Sequence, residues 1–232
     1  MPSKARQSLK ENLEDINRLM ELHELVGGTD AGRRYDLEVL NKSAIVLTTA
    51  CWEAYCEDIA AEALDHMVKY SKNSEKLPRE LKKSIAKELE NHDNALAVWE
   101  IADGKWKGYL SKRLKDLQEK RNRKLNTPKT VQIDQLFLDA VGIEKVSKSW
   151  YWSGMSVVKA TKKLDSLVTL RGSIAHRGSS SESVKKTHVK SYRDFIERLA
   201  SKTGGRVNSH VREVTGKPLW PDRRRKKKRK VR

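Results

Sequence analysis

The sequence predicts an all-α fold, and three observations carry that prediction. Apolar residues recur at three- and four-residue spacing along almost the whole chain, the period of one helix face. Only 12 Gly and 5 Pro punctuate 232 residues, too few for many short strands joined by tight turns. Hydrophobic residues make up 37% and charged residues 34%, a polar balance that still fills one core. The length suits a single domain with a tail.

Taken in order, Leu9, Leu13, Ile16, Leu19, Met20 and His23 mark a first amphipathic helix that Gly27-Gly28 should stop. A second long helix is expected over about 35–70. Its middle, SAIVLTTACWEAYCEDIAAEAL, is apolar around most of its circumference, as in a helix packed from several sides. Breaks at Pro78 and near Gly104 predict shorter inserted helices, LPRELKKSIAKELEN and then ALAVWEIA. Trp106, Leu110, Leu114 and Leu117 give the next stretch an apolar stripe, and Asn126-Thr127-Pro128 should end it. A short helix over 131–140 stops at Gly142, and a long one begins after Ser153-Gly154 and ends near Gly178. A Ser-rich loop leads to a last helix marked by Val184, His188, Tyr192, Phe195, Ile196 and Leu199, expected to end at Gly204-Gly205. The expected division is therefore a helical domain over 1–205, with its core about 35–200, and a basic flexible tail over 206–232. There is no internal repeat.

Cys51 and Cys56 stand about 140° apart on a helical wheel, so they do not face each other. Reduced packing residues, suited to the cytosol, are expected there. The longest apolar stretch, near 43–52, is roughly half the ~20 residues of a spanning helix. The amino terminus turns acidic and amphipathic where a signal peptide would be apolar. A soluble cytoplasmic chain with no membrane partner follows as the expectation.

The formal charge of +18 is concentrated. Residues 105–129 hold ten Lys/Arg against Asp116 and Glu119, and residues 222–232 hold nine against Asp222, a net of +8 in each block and +2 elsewhere. Two basic blocks on a nearly neutral body point to a polyanion, because each phosphate neutralised releases counterions. The candidate RNA contacts are Lys112, Arg113, Arg121, Arg123 and Lys124 in the first block, and Arg223, Arg224, Arg225 and Lys226 in the second. The first block also reads as a solvated helix face. The second cannot fold by itself; it reads as a nucleic-acid arm or, since KKKRKV resembles a nuclear localisation sequence, as an import signal in a eukaryotic host.

One constellation carries chemistry. Val157, Leu164, Leu167 and Val168 form an apolar stripe whose next members at helical spacing are Arg171 and Ala175. An arginine on a buried face requires something anionic beside it. His176 lies about 140° around and roughly 7.5 Å along the helix, beside Arg177. Arg and His on one seam suit phosphoryl work on RNA: His takes the 2′-hydroxyl proton and Arg stabilises charge on the attacked phosphate. The alternative is a buried Arg171 paired with Glu53, Asp58 or Asp165. No histidine pair or acidic cluster has metal-ligand spacing, and no glycine-rich loop has the context of a phosphate cradle. No metal or cofactor is expected.

The run 167–178, LVTLRGSIAHRG, resembles the R-x4-6-H signature of HEPN-domain proteins, here Arg171-x4-His176. The block SAIVLTTACWEAYCEDIA, the run LNTPKTVQIDQLFLDAVGI, and then Trp150 resemble, in the same order, the RiboL-PSP branch of that superfamily. The likeness covers roughly 35–196. It implies a HEPN-like helical bundle and a metal-independent endoribonuclease cleaving by 2′-hydroxyl attack. It also implies a homodimer with both motifs in one cleft, and a toxin or defence role under an antitoxin or regulatory protein. Arg171 and His176 carry over as the catalytic pair, with Glu53, Ser173 and Arg177 in support; Glu53 would orient Arg171. The family often has Asn or Asp directly after the Arg. Here stands Gly172, with Ser173 next to it as a substitute hydrogen-bonding group. A non-catalytic RNA-binding HEPN protein and a helical interaction module stay open as alternatives. Trp150 and Trp152 are read either as base-stacking residues or as core and rim.

Overall fold

A computed structural model describes residues 3–28, 37–119, 127–178 and 183–221. Among them are seven α-helices and no strand: α1 (Lys4–Gly27), α2 (Glu38–Tyr70), α3 (Arg79–Glu90), α4 (Trp106–Glu119), α5 (Thr130–Val141), α6 (Val157–Arg177) and α7 (Lys186–Thr215). The all-α expectation holds.

The 33-residue α2, about 50 Å long, is the axis of the bundle. Ala44, Ile45, Trp52, Cys56, Ile59, Ala60, Ala63, Leu64 and Met67 are buried without exposure because α1, α4, α5, α6 and α7 all pack on it. Thr48 and Thr49 sit in that core with their hydroxyls donating to the carbonyls of Ala44 and Ile45, at 2.7 and 3.0 Å, so neither hydroxyl is stranded. Burial pushes the Cys51 thiol up to about 11 and that of Cys56 well above its usual range, which leaves both as unreactive packing groups.

α1 lays Ala5, Leu9, Leu13 and Ile16 on α2. Ser3 caps it, and Glu62 of α2 accepts from the Ala5 backbone N–H at 2.6 Å, satisfying a donor that a helix start leaves free. The core therefore begins well before residue 35. The insertion holds α3, a 3-10 segment Ala95–Ile101 and α4; ALAVWEIA forms that tighter turn in place of the expected α-helix. Gly142 ends α5 at φ 74°, where a Cβ would lie 2.7 Å from the Pro78 Cβ. Only glycine fits there.

The carboxyl-terminal expectation is corrected. α7 runs straight through Gly204-Gly205 to Thr215. Two glycines in a helix cost about 1 kcal/mol each, but the apolar stripe resumes beyond them with Val207, Val211 and Val214, all buried. Gly204 is moreover required: a Cβ there would lie 2.7 Å from the Tyr55 hydroxyl, which donates to the Ala200 carbonyl at 2.8 Å. Residues 206–215 thus belong to the packed body and not to a tail.

Candidate functional site

The site grows from the end of α6. Ser156 caps that helix, accepting from the Lys159 N–H at 3.3 Å, and Gly178 ends it in the left-handed region at φ 64°. Ala160, Leu164, Leu167, Val168 and Ile174 are its buried residues. The stripe passes through Ile174 and not through the expected Ala175, which is exposed. Arg171 is accordingly half-buried at the margin of the packed face, while His176 and Arg177 are exposed in the last turn. The Arg177 charge there also complements the carboxyl end of the helix dipole.

The first turns of α2 hold this end in place. Lys42 Nζ donates to the Gly178 carbonyl at 3.1 Å and lies 3.6 Å from Glu38 Oε1. The same Glu38 oxygen accepts from the Val184 N–H at 3.2 Å, and Asn41 Nδ2 donates to the Val184 carbonyl at 2.9 Å. Lys186 of α7 pairs with Glu24 of α1. Four helix ends meet here. Sequence reasoning missed Lys42 and Asn41, because nothing in their spacing points to a carbonyl some 140 residues away.

Two of the acids considered for Arg171 separate clearly. Asp165 is engaged elsewhere: its Oδ1 accepts from the Thr130 N–H at 2.8 Å and the Thr130 hydroxyl at 3.0 Å, capping α5. Glu53 acts on Arg171 through its charge, and no ion pair within 4 Å joins the two. Burial and then the neighbouring Glu57 charge push the Glu53 carboxyl up to about 7, with Arg171 pulling it partly back. Arg171 therefore keeps donors for an anion that neither acid occupies.

Ser173 does not substitute for the missing polar residue as a donor, since its hydroxyl points back to the Thr169 carbonyl at 3.3 Å. A Cβ on Gly172 would meet nothing within 4 Å, so the site has room for a larger side chain at that position.

The other expected residues divide sharply. Lys112 is exposed, with Glu100 at 3.8 Å. Arg113 is corrected: only 15% of its side chain is exposed. It donates to Glu88 at 2.5 Å, to the Ser84 hydroxyl at 3.0 Å and to the Asp139 carbonyl at 2.8 Å, so it clamps α3 and α5 to α4. Arg121, Arg123, Lys124, Arg223, Arg224, Arg225 and Lys226 lie outside the described residues. Trp150 takes the core reading. It is wholly buried, edge-on to Trp52, and its ring N–H donates to the Thr203 hydroxyl at 2.9 Å, so no base can reach it. Trp152 is half-buried beside Phe195.

Beside the motif, α2 presents an uncharged exposed stripe of Val39, Ser43, Leu47 and Ala50. Val39 is 62% and Leu47 42% exposed. On the wheel, Lys42 and Glu53 flank this stripe on its α6 side. Among the described residues no group of His, Cys, Asp and Glu could hold a metal ion, and no helix is long and apolar enough to cross a membrane.

No curated protein and no solved structure matches this chain. A family model described as RiboL-PSP-HEPN matches residues 7–208, a span that takes in α1 and most of α7 as well as the motif helix. With the bundle, the ordered blocks and the Arg171–His176 helix end in agreement, the chain belongs to the RiboL-PSP-HEPN family.

Proposed function

We propose that this protein is a metal-independent endoribonuclease in which Arg171 and His176 act on one phosphodiester. The observation that carries this reading is the state of the two side chains. Arg171 is half-buried yet engaged by neither Glu53 nor Asp165, while His176 stands exposed on the same helix end. His176 would take the proton of the 2′-hydroxyl as O2′ attacks phosphorus. Arg171 would stabilise charge on the phosphoryl oxygens. The P–O5′ bond breaks, leaving a 2′,3′-cyclic phosphate, and the departing O5′ takes up a proton.

A second proton donor for O5′ comes most simply from a second copy, because a two-fold contact brings one patch to itself. The uncharged stripe at Val39, Ser43, Leu47 and Ala50 supports that reading: copies joined there would bring their Glu53–Arg171 flanks together. The family supports a toxin or defence role in the cytoplasm, restrained by an antitoxin or regulatory protein. A non-catalytic RNA-binding role is favoured by one observation, the open space at Gly172 where relatives often carry a polar side chain.

The test is labelled single-stranded RNA in excess EDTA, wild type beside His176→Ala. The expected result is cleavage that His176→Ala lowers by ~10²–10⁴-fold, cyclic phosphate ends, and no cutting of all-deoxy substrate. Tight binding without cleavage by wild type would select the non-catalytic reading.

A further inference from the structure

Away from the motif, the insertion carries a shallow groove of about 470 Å³ between the Ala95–Ile101 segment and α4. Trp99 forms one wall and is 67% exposed. It is the only one of the six tryptophans left in water: Trp52 and Trp150 are wholly buried, and Trp106, Trp152 and Trp220 pack partly on the core. The opposite wall is one face of the α4 region, where Lys105, Gly108, Tyr109 and Lys112 follow helical spacing. Burial and the Glu88 charge act on the Tyr109 hydroxyl and push it up to about 12, which fixes that ring as a neutral wall.

Gly108 is the informative residue. Its φ is not positive, and a Cβ built on it would meet nothing within 4 Å, so neither backbone nor packing calls for glycine. Inside a helix it costs about 1 kcal/mol relative to alanine. Its effect is to leave the groove floor open between the aromatic wall and the two lysines.

A protein-docking surface would surround an exposed tryptophan with further apolar residues and few lysines, since lysine is depleted at interface cores. Here Leu96 also lines the groove and is 67% exposed, but Lys105 and Lys112 are both exposed in the same lining, and its one acid is Glu100, 3.8 Å from Lys112. An aromatic platform with flanking cations is the arrangement that holds unpaired bases and their phosphates. We propose that this groove is a second RNA-contacting site, in which an unpaired base stacks on Trp99 above Gly108 while neighbouring phosphates lie on Lys105 and Lys112. The choice of single-stranded RNA as occupant rests on the reading given under Proposed function.

The groove is remote from the motif. Its helix packs on the second half of α2, near Leu64, about 16 Å along that helix from Glu53. It would thus grip a substrate several nucleotides from the bond being cut, raising affinity for longer single strands without touching the reacting atoms.

The experiment measures binding of a short labelled 2′-O-methyl oligouridine, which cannot be cleaved through its 2′ position. Wild type, Trp99→Ala and Gly108→Leu are compared, with helicity checked by circular dichroism. Trp99→Ala should weaken binding on the order of tenfold. Gly108→Leu should weaken it similarly while the helix gains stability. An oligomer with abasic residues should lose affinity for wild type and lose no more for Trp99→Ala. If wild type binds and both groove variants bind equally well, the groove inference is overturned and the RNA reading stands. A wild type with no affinity for the oligomer overturns both. Unchanged RNA affinity with altered sedimentation in Trp99→Ala overturns the inference in favour of a contact between copies.

Discussion

Arg113 and Arg171 are both cations on amphipathic helices packed against α2, and they end in opposite states. In the insertion, Arg113 is held by a carboxylate, a hydroxyl and a backbone carbonyl from two neighbouring elements, so its charge is neutralised inside the fold. At the helix-end junction, Asp165 is occupied by Thr130 and Glu53 stands close enough to act only through its field, so Arg171 keeps its donors. What separates a clamp from a candidate catalytic group here is whether nearby acids already have other partners.

The largest effect that would break this comparison is on cleavage. Arg171→Ala should lower cleavage by ~10²–10⁴-fold with the fold retained, since no carboxylate pair to Glu53 or Asp165 is severed. Arg113→Ala should leave the rate per folded molecule close to wild type. Equal loss in the two variants, measured on protein verified as folded, would erase the distinction.

Next comes assembly. Excess His176→Ala subunits mixed into wild type should depress activity beyond dilution, and a charge at the stripe, Leu47→Glu, should lower both the sedimentation coefficient and the specific activity. Activity strictly proportional to wild-type concentration would assign the chemistry to one copy.

Arg113→Ala should then show its cost in stability. Leaving the Asp139 carbonyl and Glu88 without their partner should lower unfolding free energy by about 2 kcal/mol, read from the denaturant midpoint. Arg171→Ala should cost less, and the reverse order would mean that Arg171 is the structural residue.

The smallest effects sharpen the electrostatics. Glu53 is held at about 7 against an ordinary 4.5. Between those values the folded protein holds a proton that the unfolded chain has released, so stability falls as pH rises through that window. Glu53→Gln should flatten that slope, adding about 1 kcal/mol near pH 8 after allowance for solvent and nothing near pH 4. Gly172→Ala should add up to about 1 kcal/mol, because the position is helical and open. A midpoint lowered by Gly172→Ala would show that the space is needed.

The amphipathic stripes of α1, α6 and α7 and the all-round apolar middle of α2 were legible because periodicity depends only on residue spacing. The ordered blocks around Arg171 and His176 were legible as well, and their family now spans residues 7–208. Local rules failed where a distant contact outweighed them. Gly204-Gly205 reads as a stop, yet Tyr55 needs the missing Cβ at Gly204 and the stripe beyond it has a core to fill. Trp150 reads either as a stacking residue or as core, and the enclosure by Trp52 and Thr203 decides for core.

By itself, then, the sequence determined the helices, the order of the blocks and the presence of an Arg–His pair on one helix. Each of these follows from neighbours within a few turns. Only the tertiary structure decided which charges stay free. Glu88 reached Arg113 from α3 and Thr130 took Asp165 from the start of α5, while Lys42 fixed the end of α6 from the first turns of α2. Those outcomes depend on which polar groups the packing of α2 brings within hydrogen-bond distance, and helical periodicity contains no information about that.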